Sequence, residues 1–264
     1  MLSTREELKA LRHDYTLKHL SSGSYGKVYV GENVQENVQV AIKVIEKRKL
    51  GHYINSLPAE IYFLSELKNE EGIIHLINHI ECTDGYIIIM EYSSKFIDLY
   101  DYVFEHLPLS VSTVKKIILQ IVEICIKLFK LNIYHGDLKL ENIVIHTETL
   151  TVKFIDFGGA GYLNEAKEYN GTKYCLPPEY DEKKIYEVEP VHVWAIGLIL
   201  SELLSERREE EDICEKDAVL LQNTDEKFKY VINECLNLDY VKRIKLSELK
   251  QIIENELVDC CEIA

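Results

Sequence analysis

At 264 residues the chain is long enough for one substantial core or for two lobes sharing a cleft, and too short for appended regulatory domains, so a single functional unit is expected. Its 47% hydrophobic content, with only 12 glycines and 5 prolines, excludes a disordered or fibrous chain. Thirty Lys and Arg against 45 Asp and Glu give a net charge of −15, which repels a phosphate backbone, argues against nucleic acid as the main partner and suits basic partners.

On charge alone, an acidic surface kept for solubility explains the same number. The cysteines, Cys82, Cys125, Cys175, Cys214, Cys235, Cys260 and Cys261, are odd in number and scattered without repeated C-x-x-C spacing, the pattern of reduced thiols in cytosol or nucleus. The N-terminal stretch MLSTREELKALRHDY has no signal-peptide apolar run, and position 2 is Leu rather than the Gly that myristoylation requires. No apolar run approaches membrane-spanning length, so no transmembrane segment is expected.

In chain order, β-branched and aromatic runs predict strands over Tyr25 to Val30, Gln39 to Ile45, Ile73 to Ile80 and Tyr86 to Tyr92. One helix interrupts them, Ser56 to Lys68, where Leu57, Ile61, Leu64 and Leu67 recur at helical spacing. Near residue 93 the pattern turns helical. Val114, Ile117, Ile118, Ile121, Cys125, Leu128 and Phe129 trace one apolar stripe of a long buried helix. Val191 to Leu204 is apolar nearly all round, a central helix, and Ser247 to Val258 reads as a terminal amphipathic helix with Ser247 as N-cap. There is no internal repeat or Gly/Ser linker. The fold class that results is α+β: a strand-rich lobe over about 1–92 with one main helix, a hinge at about 91–95, and a mostly helical lobe over about 96–264.

Leu20 to Val28, LSSGSYGKV, sets Gly23 and Gly26 in a strand–turn–strand context where backbone amides could close over phosphates; taken alone, a hairpin with two turn glycines is the better explanation. Val40-Ala41-Ile42-Lys43 then places one lysine in a buried strand, and a buried ammonium needs an anion. Glu60, on the helix that follows, can supply it; the plain alternative is a surface lysine with its stem packed down. The segment Tyr134-His135-Gly136-Asp137-Leu138-Lys139-Leu140-Glu141-Asn142, followed by Lys153-Phe154-Ile155-Asp156-Phe157-Gly158, carries the chemistry. In-line phosphoryl transfer needs a carboxylate to orient and deprotonate a hydroxyl, for which Asp137 fits. It needs hard oxygen donors for metal, Asn142 and Asp156, and positive charge near the transferring group, Lys139.

These motifs, in this order and spacing, resemble the Gly-rich loop, V-A-I-K, H-x-D-L-x-x-x-N and D-F-G of the protein kinase family, from about Tyr15 to about Ile253. The resemblance implies a bilobal kinase-like fold with an antiparallel first lobe, ATP and Mg2+ as cofactors, and protein substrates. Asp137, Lys139, Lys43 and Glu60 would be catalytic. Gly23, Tyr25, Gly26, Val28, Ala41, Lys43, Met90, Glu91, Tyr92, Ser93 and Asp98 would bind the nucleotide, Met90 gating the adenine pocket and the backbone from Glu91 to Ser94 bonding the adenine edge. Thr172, in Gly171-Thr172-Lys173, would line the substrate loop, and Glu179 of Pro177-Pro178-Glu179 would pair with Arg243. Lys139 and Gly171-Thr172 look like the serine/threonine branch. Within it, Asp98-Leu99-Tyr100-Asp101-Tyr102 and Val193-Trp194-Ala195-Ile196-Gly197 resemble the Pim group, implying a constitutively active kinase with basic residues upstream of its target. Glu141, Asp98 and Asp101 are the acids placed to receive them; as isolated acids they also read as solvated surface.

The chain departs from the pattern at Ser21, for the first loop glycine; at Gly136, for the arginine that receives an activation-loop phosphate; and at His192, where many kinases place an aspartate that holds the catalytic loop. A pseudokinase scaffold, binding nucleotide or a partner without transfer, is therefore the competing reading. Retention of Lys43, Glu60, Asp137, Lys139, Asn142 and Asp156 favours catalysis. His135 is expected to pack against Phe157 rather than act as a base. The last four residues, Cys261 to Ala264, formally fit C-a-a-X, but Glu262 and the acidic flank ENELVD favour an ordinary helix end. The protein is expected to be monomeric and cytoplasmic or nuclear, in a host cell if its Lys-, Asn- and Ile-rich usage reflects a viral genome.

Overall fold

The computed structural model describes residues 1–23, 26–35, 38–50, 52–165, 171–183, 187–205 and 225–256. Tyr25, Cys214, Val258, Cys260, Cys261, Glu262 and Ala264, named above, lie outside the described residues. The chain divides into two units, Met1–Phe96 and Ile97–Ala264.

The first unit runs α1 (Thr4–Leu11), β1 (Tyr15–Gly23), β2 (Gly26–Asn33), β3 (Gln39–Glu46), β4 (Tyr53–Ile54), β5 (Leu57–Pro58), α2 (Ala59–Glu66), β6 (Leu76–Glu81) and β7 (Gly85–Glu91). Its antiparallel sheet has the order β1-β2-β3-β7-β6, with β4 and β5 a separate hairpin. Period-two alternation splits β3 cleanly. Val40, Ile42 and Val44 join Leu11, Cys82, Ile87 and Ile89 in one buried cluster, with Leu8 packed against it, so α1 roofs that face. Lys43, on the opposite face, meets α2. A capping box starts α1: Ser3 Oγ accepts the Glu6 N–H and Glu6 accepts the Ser3 N–H at 2.9 Å. Thr4 then pins it to the Asp84 carboxylate through N–H and hydroxyl, at 2.7 and 3.1 Å.

Three expectations change here. Strand β1 and helix α1 went unread, because β1 is an outer strand whose Lys18, His19, Ser21 and Ser22 break the apolar alternation. The helix expected from Ser56 to Lys68 is only Ala59–Glu66, since Pro58, at φ −54° and ψ 139°, stands outside it as N-cap and Leu57 belongs to β5. The strand expected from Ile73 begins at Leu76.

The second unit holds most of β8 (Phe96–Asp98), then α3 (Leu99–His106), α4 (Val111–Lys130), β9 (Ile133–Tyr134), β10 (Ile143–His146), β11 (Val152–Phe154), β12 (Gly161–Tyr162), α5 (Pro178–Lys183), α6 (Val188–Leu203), α7 (Glu226–Cys235) and α8 (Leu246–Glu256). The stripe on α4 is the core: Val114, Ile117, Ile118, Ile121 and Cys125 are fully buried. Arg243 reaches the Glu179 carboxylate in a two-pronged pair at 2.8 and 2.9 Å, with both side chains buried, which ties the residue preceding Tyr180 to the turn before α8. Ser247 is not an N-cap. The helix begins one residue earlier, and the Leu246 N–H donates instead to Glu189 on α6, at 3.1 Å. Cys82, Cys125, Cys175 and Cys235 are free, buried thiols.

Candidate active site

In the first unit, register brings the expected nucleotide residues onto one sheet face. Val28 pairs with Lys43, and Ala41 pairs with Met90; Gly26 and Val28, like Ala41 and Lys43, are two apart and so share a side. A Cβ on Gly26 would sit 2.1 Å from the Val44 carbonyl oxygen, so that strand approaches β3 too closely for any other residue. Lys43 Nζ donates to both oxygens of Glu60, at 2.7 and 2.8 Å, with side chains only 9% and 4% exposed. Two oxygens on one ammonium offset the desolvation that burial imposes on both charges. Glu91 is more committed than expected: its N–H donates to the His75 carbonyl at 2.9 Å and its carboxylate accepts the His75 N–H at 2.7 Å. The Ser93 carbonyl likewise accepts from Phe96, closing a turn. The Glu91 N–H and the Ser93 carbonyl thus already serve the backbone of this segment.

In the second unit, Asp137 lies at the centre of a web. Its Oδ1 accepts the main-chain N–H and the hydroxyl of Thr172, both at 2.7 Å, and its Oδ2 accepts from Asn142 Nδ2 at 2.9 Å. Lys139 Nζ donates to Thr172 Oγ1 at 2.8 Å and stands 3.6 Å from Asp137 Oδ2. Asn142 Nδ2 also donates to the Asp137 carbonyl, at 2.7 Å, so both of its N–H groups serve Asp137. His135 fixes the loop from below. Its Nε2–H donates to the Ile155 carbonyl at 2.8 Å and its Nδ1 accepts the Asp137 N–H at 3.3 Å, which defines the tautomer. Burial holds its pKa below the ordinary value, and its ring meets Phe157 edge-on at 4.7 Å, the packing role expected. Asp156 sits in the left-handed region at φ 59° and caps the turn through Gly158 N–H at 3.4 Å.

A second acidic group lies beside this web. Glu141 accepts the Tyr174 hydroxyl at 2.6 Å, and Lys139 Nζ lies 5.9 Å from the Tyr174 ring centre. Burial first, then the bond to Glu141, raises the Tyr174 pKa. Glu202, near the end of α6, was missed in the sequence. Burial, then repulsion from Glu141, raises its pKa to about 8. The signal was one acid set within the apolar run from Val191 to Leu204. Asp98 is the N-cap of α3, accepting the Asp101 N–H at 2.7 Å, with its pKa raised by burial above all; Asp101 is exposed.

A family model described as "Protein kinase domain" matches residues 15–254. The chain belongs to the protein kinase family. It is 29% identical over 252 residues to serine/threonine-protein kinase prk-2 of Caenorhabditis elegans, covering 90% of this chain and 57% of that protein. It is 29% identical over 252 residues to serine/threonine-protein kinase 1 of African swine fever virus, covering 92% and 82%. To serine/threonine-protein kinase pim-2 of Danio rerio it is 27% identical over 256 residues, covering 90% and 81%. The chain thus spans just over half of the nematode protein and about four-fifths of the other two. This kinase is of the serine/threonine class, and its family uses ATP with a divalent metal.

The kinase's donor set fits such a metal. Among the described residues no group of three or more His, Cys, Asp or Glu could hold an ion alone. A hard cation that keeps waters and phosphate oxygens needs only one or two protein ligands. With Asn142 Nδ2 committed to Asp137, its amide oxygen is the atom it could offer a metal, and the Asp156 carboxylate would be the second protein ligand.

The departures at 136 and 192 have a structural form. Gly136 is at φ 81°, and a Cβ there would lie 2.0 Å from the Gly159 carbonyl oxygen, so the catalytic loop touches the segment after Asp156 backbone to backbone. His192 donates from Nδ1 to the Val188 carbonyl at 2.9 Å, and its buried Nε2 has no hydrogen-bond partner among the described residues. Burial depresses its pKa to about 4, so it stays neutral. Among the described residues no helix is long and apolar enough to cross a membrane.

Proposed function

We propose that this chain is a constitutively active serine/threonine kinase that uses Mg-ATP and prefers protein substrates with basic residues near the target hydroxyl. In this reading Gly26, Val28, Ala41 and Met90, with Gly23 and Tyr25, receive the nucleotide, and Lys43, steadied by Glu60, neutralises its phosphates. Asp137 accepts the substrate hydroxyl proton, and Lys139 stabilises charge on the transferring group. Asn142 and Asp156 would hold the metal, which when bound shields phosphate charge. Thr172 positions Asp137 and Lys139, and Glu141, with Asp101 and Asp98, draws basic substrate residues.

The observation that carries this reading is the Asp137–Thr172–Lys139 arrangement, in which one threonine bonds both the carboxylate and the ammonium. Gly136 supports it, because the usual cation for an activation-loop phosphate is missing. Radiolabelled ATP with an arginine-rich serine peptide tests it. Phosphatase-treated protein should transfer phosphate as well as untreated protein, and Asp137→Asn should not. Loss of all turnover after phosphatase treatment sinks constitutive activity.

The competing reading, a nucleotide-binding scaffold, draws on the orphaned Nε2 of His192 and on Gly136. Nucleotide binding without transfer in the same assay would select it. We further propose that the protein works as a monomer in cytoplasm or nucleus; prenylation at Cys261 would require a site outside the described residues.

A further inference from the structure

The pair Lys43–Glu60 depends on where α2 begins, because Glu60 is its second residue. That helix has eight residues, below the length at which a helix holds itself, and its N-cap is Pro58, which offers no side-chain cap. A different group satisfies its first donor. The Ala59 N–H donates to the His52 carbonyl at 3.1 Å. His52 precedes β4, and the β4–β5 register pairs Tyr53 with Pro58 and Ile54 with Leu57. The His52–Ala59 bond therefore continues the hairpin ladder onto the first residue of the helix. The hairpin closes through Asn55 at φ 49° and Ser56 at φ 68°, two exposed non-glycine residues in the left-handed region. A two-residue turn of that kind matches strand twist and fixes register.

We propose that the β4–β5 hairpin is a built-in positioning device for the active-site ion pair: it caps α2 through Ala59 and thereby holds Glu60 on Lys43 without a phosphorylated residue. This rests on the kinase reading and extends it, since helix placement of this kind is what activation by phosphorylation otherwise controls. All the contacts it uses lie within the first unit. The turn sets the ladder, the ladder sets the cap, and the cap sets the height at which Glu60 meets the ammonium.

Two variants disturb the device at separate points. Ser56→Val opposes the left-handed conformation at the exposed turn, whereas Ser56→Gly favours it. Ala59→Pro deletes the single N–H while placing proline at a first helical position, where it is tolerated. Hydrogen exchange of α2 and steady-state kinetics on an arginine-rich serine peptide are measured for each. Ser56→Val and Ala59→Pro should each speed α2 exchange by about tenfold, with β3 and β7 still protected. Both should lower kcat while leaving the peptide KM unchanged, and Ser56→Gly should match or exceed the parent. Wild-type α2 exchange and kcat in Ala59→Pro overturn the proposal, including where Ser56→Val proves unfolded. If the parent transfers no phosphate, the kinase reading fails on its own, and α2 exchange still decides whether the hairpin holds the helix.

Discussion

Thr172 donates twice to a single oxygen of Asp137, once from its main chain and once from its hydroxyl, each at 2.7 Å. The same hydroxyl oxygen accepts from Lys139 at 2.8 Å. One side chain thus orders both the carboxylate and the ammonium proposed for transfer. The hydroxyl is the part a substitution can isolate. Thr172→Val keeps the shape and the main-chain bond but removes the bridge, and kcat should fall by about ten- to a hundredfold with little change in melting temperature. Thr172→Ser should recover most of it. A valine variant with parental kcat would remove Thr172 from the positioning role.

The Lys43–Glu60 pair predicts a non-additive stability pattern. Lys43→Met alone leaves the Glu60 carboxylate buried without its ammonium, and Glu60→Leu alone does the reverse; each should cost about 3–5 kcal/mol in urea unfolding. The double variant should regain most of that loss, because two apolar groups replace two charges. All three should lose transfer. A double variant as unstable as the sum of the singles would show that the pair is not a coupled unit.

Residues whose chemistry admits few substitutes were legible in the sequence: Asp137, Lys139, Asn142, Asp156 and Lys43 announce themselves by type and spacing. Glu60 was legible because a buried lysine asks for an acid. Packing-dependent features were not. Helix α1 is short and polar except at Leu8 and Leu11, and only its roofing of the Val40, Ile42 and Val44 face explains it. Glu202 has no partner in sequence; its character comes from burial and from Glu141 across the site. The start of α2 was misplaced because helical spacing at Leu57 coincided with a strand that Pro58 ends.

Glu202 gives a pH dependence with a defined sign. Its folded pKa is raised from 4.5 to about 8, so the folded state favours the neutral form. The stability this contributes is fully present below about pH 4.5 and is lost as pH rises through about 8. Glu202→Gln keeps the carboxyl shape without the ionisation. Its melting temperature relative to the parent should therefore climb between pH 5 and 9. Above pH 8 the parent's extra negative charge, beside Glu141 and Tyr174, should also lower KM for a peptide carrying arginine but not for its neutral counterpart. A constant difference in melting temperature across that range counts against a Glu202 whose ionisation is coupled to folding.

Gly136 supplies the sharpest contrast between family pattern and this chain. Restoring arginine there would seem to repair a departure, yet the backbone at φ 81° disfavours any side chain by about 1–2 kcal/mol. The larger obstacle is steric. The new Cβ would lie 2.0 Å from the Gly159 carbonyl oxygen, far inside contact distance, so the catalytic loop would have to withdraw from the segment that follows Asp156. His135 would be drawn with it, because its two ring nitrogens join the Asp137 N–H to the Ile155 carbonyl. Gly136→Arg and Gly136→Ala should therefore both lower kcat, and the alanine variant should already show most of the loss because the clash begins at Cβ. Side-chain charge is separated from backbone fit by comparing the two. If arginine restores or raises kcat where alanine lowers it, the contact between Gly136 and Gly159 is not what sets the geometry of Asp137.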